Sequence, residues 1–342
     1  MIKIAVDMMG GDLGIFENKK AIKALLGEKI NIDFYLVGDE SQLKEFSSNP
    51  QCKIIHTDKH LNMGVDDPFA EFRKNPEHSL FKAFTLLKNN QVDAVISAGP
   101  TQAVVFGSHL IVGRLPKVRR LALAIPFNTV SGDKKILLDC GATAEISPKD
   151  LVDFSQIGVA YLKQLIGNED FTPQVGLVSI GSEKGKGREF ERSAYDLLKE
   201  THNFNFYGNV EPKELFFKNA DVLVTDGFSG NLILKSMEGA LLGFKENFKK
   251  ELKYNIFKKL AFLILNRSIK KAVKKLTAND TGGALILGTK GVVVKAHGSA
   301  KQQDLKQAIL QAKSFVENRI IEKFLKGLEN EWCEIIFKIN WS

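Results

Sequence analysis

The chain has 342 residues, 44% apolar and 26% charged, with 48 lysines and arginines against 40 acidic side chains. These are ordinary globular values with ample chain for a core, and they exclude wholesale disorder. The longest apolar run, Leu260 to Leu265, is far short of the roughly 18 residues that a membrane-crossing helix needs.

From the N-terminus, short apolar or β-branched runs predict strands at Lys3–Val6, Asp33–Val37, Ala94–Ile96, Leu121–Ile125, Ile136–Leu138, Val175–Ile180, Val222–Val224 and Val292–Lys295. Helical spacing lies between many of them, at Lys19–Leu26, Ser79–Lys88, Leu151–Ile166, Glu189–Lys199 and Lys301–Leu325. The alternation predicts an α/β fold, a largely parallel sheet with helices on both faces, and one domain over residues 1–342. Glu238 to Leu276 carries no strand signal and reads as an inserted helical hairpin over residues 240–276.

The net charge of +8 is local. Ten basic residues and one acid, Glu251, fall between Lys249 and Lys275, so the rest of the chain holds 38 basic and 39 acidic residues. A basic face spread over a recognition fold is absent, which argues against nucleic acid as a partner. Within the hairpin, Leu252, Ile256, Leu260, Leu263 and Ile264 repeat as one helix face does, with lysines flanking them. That pattern suits an anionic membrane surface; the competing reading is a face packed in the core or at a dimer contact. Three scattered cysteines and an opening interrupted by Asp7 and Asp12 predict neither a disulfide framework nor a secretory leader. The expected setting is cytoplasmic, with peripheral contact at the inner face of the membrane.

Five predicted strands run into turns rich in glycine and small residues. They hold Asp7, Gly10, Gly11 and Asp12; Ser97, Gly99 and Thr101; Asp139 and Gly141; Gly181, Lys186 and Gly187; and Asp226, Gly227, Ser229, Gly230 and Asn231. Each alone reads equally well as a tight turn. Open parallel sheets bind ligands beyond the carboxyl ends of their strands, and glycine lets N–H groups approach an anion. Five such turns on one expected edge favour a phosphate-type site.

Other chemistries lack their motifs. Neither G-x-G-x-x-G after a strand nor G-x-x-x-x-G-K-[ST] occurs; Gly283 and Gly288 have the gap, but Thr289 precedes Lys290. His56 and His60 lack the glutamate of a zinc protease, and no G-x-S-x-G elbow is present. Dehydrogenase, kinase and hydrolase readings lose support, and no metal site is expected.

The ordered runs Ile4–Asp12, Ser97–Gly99, Leu137–Ala142, Ser179–Gly181 with Lys186-Gly187, Phe206–Glu211, Asp226–Asn231, Gly282–Ala284 and Ala296–Ser299 resemble the PlsX-type phosphate acyltransferases. The resemblance runs from residue 2 to about residue 312, nearly the whole chain. It implies a Rossmann-like three-layer α/β/α fold akin to phosphotransacetylases, a homodimer, and no nicotinamide cofactor. The implied reaction joins the acyl group of an acyl carrier protein thioester to inorganic phosphate, giving acyl phosphate for phospholipid synthesis. Lys186 and Asn231 match the family's two catalytic positions. Pro100, Gln102, Thr143, Arg188, Leu13 and Gly14 depart from the family pattern. Two alternatives stand beside this reading: a phosphotransacetylase-like enzyme using a coenzyme A thioester, and a catalytically weakened acyl- or membrane-binding protein.

Phosphate is already an anionic nucleophile, so the reaction calls for a cationic clamp and an oxyanion donor rather than a strong base. Lys186, between two glycines, suits the clamp; its competing reading is a solvated loop lysine. Asn231, opening a helix, suits the donor; its competing reading is a cap. Asp7, Asp12, Asp139 and Asp226 read as residues that order loop N–H groups.

Overall fold

A computed structural model describes residues 1–217, 219–252 and 282–328. Its centre is one 11-stranded sheet of β1 (Ile2–Asp7), β2 (Ile32–Gly38), β3 (Cys52–His56), β4 (Ala94–Ser97), β5 (Ala122–Asn128), β6 (Lys134–Leu138), β7 (Gln174–Val178), β8 (Asn205–Val210), β9 (Val222–Val224), β10 (Ala284–Leu287) and β11 (Val292–Lys295). The helices are α1 (Gly14–Gly27), α2 (Glu40–Leu43), α3 (Pro68–Lys74), α4 (Ser79–Lys88), α5 (Thr101–Gly107), α6 (Pro148–Ile166), α7 (Glu189–Glu200), α8 (Gly227–Leu252) and α9 (Gln302–Glu317).

The inner strands are apolar throughout because both sheet faces are covered. Ile4, Val6, Val292 and Val294 pack into one core with Ile22, Leu151 and Ile309 of α1, α6 and α9. Ala5 and Val293 point the other way, into a second core with Phe81 and Val104 of α4 and α5. Period-two alternation thus sends successive side chains into different helical layers. The expected three-layer α/β arrangement is present.

The sheet order is β3-β2-β1-β4-β11-β10-β5-β6-β9-β7-β8. Seven of the strand pairings are parallel, but β10 is antiparallel to β11 and to β5, and β5 is antiparallel to β6. Three reversals leave β6, β9, β7 and β8 running opposite to β3, β2, β1, β4 and β11. Contrary to the expectation from sequence, the five glycine-rich strand ends therefore do not share one edge. Those of β1 and β4 lie at one edge, and those of β6, β7 and β9 at the other.

Local chemistry sets the element ends. Ser147 N–H donates to the Asp150 carboxylate at 2.7 Å at the head of α6, Pro148 follows in the first turn, and Gly167 closes the helix at φ 75°. Mid-helix Gly158 brings α6 against the sheet: a Cβ there would stand 2.7 Å from Val222. Three strands escape sequence reading. β3 and β8 are edge strands with mixed exposure, and β10 is the short run between Gly283 and Gly288. The predicted helix at 301–325 is broken after α9 by Asn318 and Arg319, the latter at φ 51°. Residues 240–252 of the expected hairpin form the second half of α8, which begins earlier, at Gly227. Residues 253–276 of that hairpin lie outside the described residues.

Candidate active site

A buried carboxylate organises each glycine-rich cluster. At the end of β1, Asp7 accepts hydrogen bonds from the hydroxyls of Ser79 and Ser97, each at 2.7 Å, and Ser97 Oγ accepts from Gly99 N–H at 2.9 Å. Burial pushes the Asp7 pKa up, against these hydrogen bonds. A Cβ on Gly10 would meet Asp7 Oδ2 at 2.5 Å, so only glycine fits under the carboxylate. Gly11 sits at φ 100° against the Gly298 carbonyl, which accepts from Asp12 N–H at 2.8 Å. Asp7, Gly10, Gly11, Asp12, Ser97 and Gly99 thus come together, with Thr101 at the first turn of α5 beyond them.

The second cluster repeats the device. Asp139 Oδ1 accepts from the N–H groups of Leu123, Gly141 and Ala142 at 2.9, 3.0 and 2.9 Å, and Oδ2 from Thr143 at 2.7 Å. Burial raises its pKa to about 6, against the pull of those four donors. Helix α8 starts directly on this loop. A Cβ on Gly227 would lie 2.6 Å from Asp139 Oδ2, and one on Gly230 only 1.8 Å from the Asp139 carbonyl oxygen. Asp226 caps the helix, accepting from Ser229 N–H at 2.7 Å and Ser229 Oγ at 2.9 Å.

Close packing of α8 brings Asn231 over Gly141: a Cβ at Gly141, which has φ 118°, would lie 3.3 Å from the Asn231 side chain. The Asn231 amide is exposed and makes no hydrogen bond among the described residues. Lys186 lies on the adjoining loop after β7, its stem against Gly181 and its ammonium exposed without a hydrogen bond or ion pair among the described residues. Gly187, at φ 97°, folds that loop back against Glu191 and Ser179. Arg188 then ties it down, its guanidinium bonded to Glu191 and, at 2.7 Å, to Asp226 at the cap of α8. Both carboxylates hold the guanidinium pKa above its usual range. A residue that departs from the family pattern is the link between the two candidate catalytic segments.

Of the candidates, Asp7, Ser97, Asp139, Asp226 and Ser229 are engaged in this scaffold. Lys186 and Asn231 present free polar ends. Two residues outside the sequence candidates lie beside the Asp12 cluster. His297 Nδ1 accepts from Ser299 N–H at 3.2 Å, on the loop that docks on Asp12. Lys295, 8% exposed at the end of β11, donates to the Ala296 carbonyl at 2.5 Å. Burial pulls its pKa down to about 8; Asp12 opposes this and Lys235 of α8 adds to it. A lysine ending a strand gives no signal in sequence, because only its burial marks it. No cluster of three metal-ligating side chains occurs among the described residues.

The α/β fold is one shared with solved phosphotransacylases. A branched-chain phosphotransacylase from Enterococcus faecalis superposes with TM-score 0.58 over 92% of this chain and 99% of that one, at 14% identity. A Streptococcus pyogenes phosphotransacetylase gives 0.57 over 93% and 94%, at 12% identity. These likenesses define the fold. The sequence profile described as "Fatty acid synthesis protein" matches residues 2–323. A phosphate acyltransferase of Acholeplasma laidlawii is 36% identical over 97% of this chain and 99% of its own length. One from Clostridium novyi is 38% identical over 96% and 99%. The chain belongs to this fatty acid synthesis protein family, that of the phosphate acyltransferases.

Proposed function

We propose that the protein transfers an acyl group from the thioester of acyl carrier protein to inorganic phosphate, supplying acyl phosphate to phospholipid synthesis. The observation that carries the reading is the pairing of a free Asn231 amide above Gly141 with the free Lys186 ammonium on the loop that Arg188 pins to α8. A phosphate oxygen of HPO₄²⁻ attacks the thioester carbonyl carbon, forming the C–O bond. Asn231 donates to the carbonyl oxygen as negative charge develops there, and Lys186 holds the phosphate. The C–S bond then breaks, and the leaving thiolate takes the proton that the phosphate carried. No general base is required, in keeping with Asp7 and Asp139 being committed to backbone N–H groups and hydroxyls. The direct test measures acyl phosphate made by purified protein with acyl carrier protein and coenzyme A donors. Formation that depends on phosphate and favours the carrier protein is expected; no acyl phosphate from either donor would refute the reading.

Lys295 bears on stability. Its folded pKa of about 8 lies below that of a free lysine, so above pH 8 and up to about 10 the unfolded chain binds the extra proton and folding stability rises with pH. In Lys295→Met that rise should be smaller. Denaturant unfolding of both proteins between about pH 7 and 10 reads the difference, and an identical pH dependence would show that Lys295 is not held with a lowered pKa.

The homodimer and the peripheral membrane contact belong to the same proposal. Phe228, Leu232, Leu242 and Phe244 of α8 are each more than half exposed in the single chain, which supports a partner surface along this helix. No helix among the described residues is long and apolar enough to cross a membrane. The basic sequence after Lys249 supports contact with anionic lipid, at about 1 kcal/mol for each lysine or arginine near the surface. Sedimentation reads both. Protein alone should run at twice the chain mass, and with anionic vesicles at low salt it should pellet, releasing as salt rises. A monomer mass, or a supernatant free of any vesicle dependence, would contradict the corresponding half.

A further inference from the structure

Two cavities share a wall made by Arg119 and Arg120, and the inner of them adjoins the loop beneath Asn231. The inner one, of about 270 Å³, is lined by Val105, Phe106 and Leu121 and reaches the Gly141–Thr143 loop. The outer one, of about 460 Å³, opens between Arg114, Arg119, Arg120 and Glu145. The arginines differ in what they do. Arg119 is engaged, bonded to Asp150 and Asp153 at 3.1 Å each. Arg114 donates to the Arg119 carbonyl and has no carboxylate partner among the described residues. Arg120 is exposed and has neither a hydrogen bond nor a carboxylate partner among the described residues. Both lie close enough to His109 to disfavour its protonation, which burial already opposes. Arg120 at the junction and Arg114 on the outer wall are therefore two guanidiniums without a carboxylate partner among the described residues, with Glu145 and the already paired Asp150 as the acids on the outer wall. Like charges gathered this way repel one another unless an anion sits among them.

The chemistry of a biological acyl thioester fits this layout. Such donors carry the acyl group on 4′-phosphopantetheine, a narrow arm with sulfur at one end and phosphate at the other. We infer, resting on the thioester reading above, that the two cavities form one tract for this arm. The half-apolar inner cavity takes the pantetheine chain and delivers the thioester to Gly141 and Asn231. Arg120 and Arg114 bind the phosphate at the outer end, where a guanidinium suits its oxygens. The arm is common to acyl carrier protein and coenzyme A.

The test is equilibrium binding of octanoyl-4′-phosphopantetheine and octanoyl-pantetheine, two probes that differ by one phosphate. Because it reads binding alone, it stays separate from any failure of acyl phosphate formation. Wild-type protein should bind the phosphorylated probe about ten-fold or more tightly, as expected for charge-assisted hydrogen bonds. Arg120→Ala, and Arg114→Ala to a smaller degree, should bring that ratio towards one while leaving octanoyl-pantetheine affinity in place. Exposed Arg120 can be replaced without disturbing a core. Displacement of the phosphorylated probe by holo acyl carrier protein and by coenzyme A identifies which source of the arm the tract prefers. Equal affinity of the wild type for both probes, equal weakening of both by Arg120→Ala, or displacement by neither competitor would overturn the assignment.

Discussion

Lys186→Ala should lower kcat for acyl phosphate formation by about a hundredfold or more, and Asn231→Ala by a similar factor, as for removal of one preorganised donor. The expectation rests on where these side chains end. Each is exposed and free of hydrogen bonds among the described residues, so truncation removes little that holds the fold together. Circular dichroism and Tm should stay near wild type while turnover falls. A transition-state donor such as Asn231 should act on kcat and kcat/KM together; a phosphate clamp such as Lys186 should also raise the KM for phosphate. Arg188→Ala is the informative companion. It breaks the bond to Asp226 and frees the Lys186 loop, so it should raise phosphate KM without removing any donor itself. Near-normal rates in folded Lys186→Ala and Asn231→Ala would sink this site.

Gly230→Ala should be nearly inactive for a different reason. Its Cβ would stand 1.8 Å from the Asp139 carbonyl oxygen and 3.0 Å from the Thr225 methyl group. The carbonyl cannot yield easily, since Asp139 N–H donates to Thr225 O at 3.0 Å and its carboxylate gathers the Gly141–Thr143 loop. The start of α8 must move away, at about 1–3 kcal/mol for overpacking of this kind. Asn231 is the next residue, and a displacement of about 1 Å is enough for a loss on the order of a hundredfold. Gly239→Ala, on the same helix with open space at its Cβ among the described residues, is the matched control. It should keep activity and gain up to about 1 kcal/mol of helix stability. Thermal melts and turnover of the two variants decide the matter. Full activity in Gly230→Ala would show that the seat of α8 on Asp139 is not what positions Asn231.

Much of this architecture is legible in the residues. Strands such as Val292–Lys295 and Ile136–Leu138 read clearly because burial on both faces demands unbroken apolar runs. The edge strands β3 and β8 do not, since solvent on one side relaxes that demand. The glycine-rich turns stand out because backbone packed on a carboxylate or a helix start leaves no room for a Cβ, as at Gly10, Gly227 and Gly230. The family resemblance carried by these turns also pointed to Lys186 and Asn231, which the fold places on neighbouring segments.

Other features exist only once the chain is folded. The separation of the turns into two clusters follows from the antiparallel pairings of β10 and β5. Strand direction within a sheet is a relation between distant segments, so no local pattern encodes it. The duties of Asp7 and Asp139 likewise depend on which hydroxyls and N–H groups surround them. Arg188, in sequence a departure from the family pattern, becomes a bridge because Glu191 and Asp226 meet there. Lys295 and Arg120 are ordinary basic residues in the chain. The first is distinguished by burial and the second by its place at the junction of two cavities. Side-chain chemistry is written residue by residue, whereas burial, partnership and field arise only when tertiary contacts decide which groups lose water and which charges share a wall.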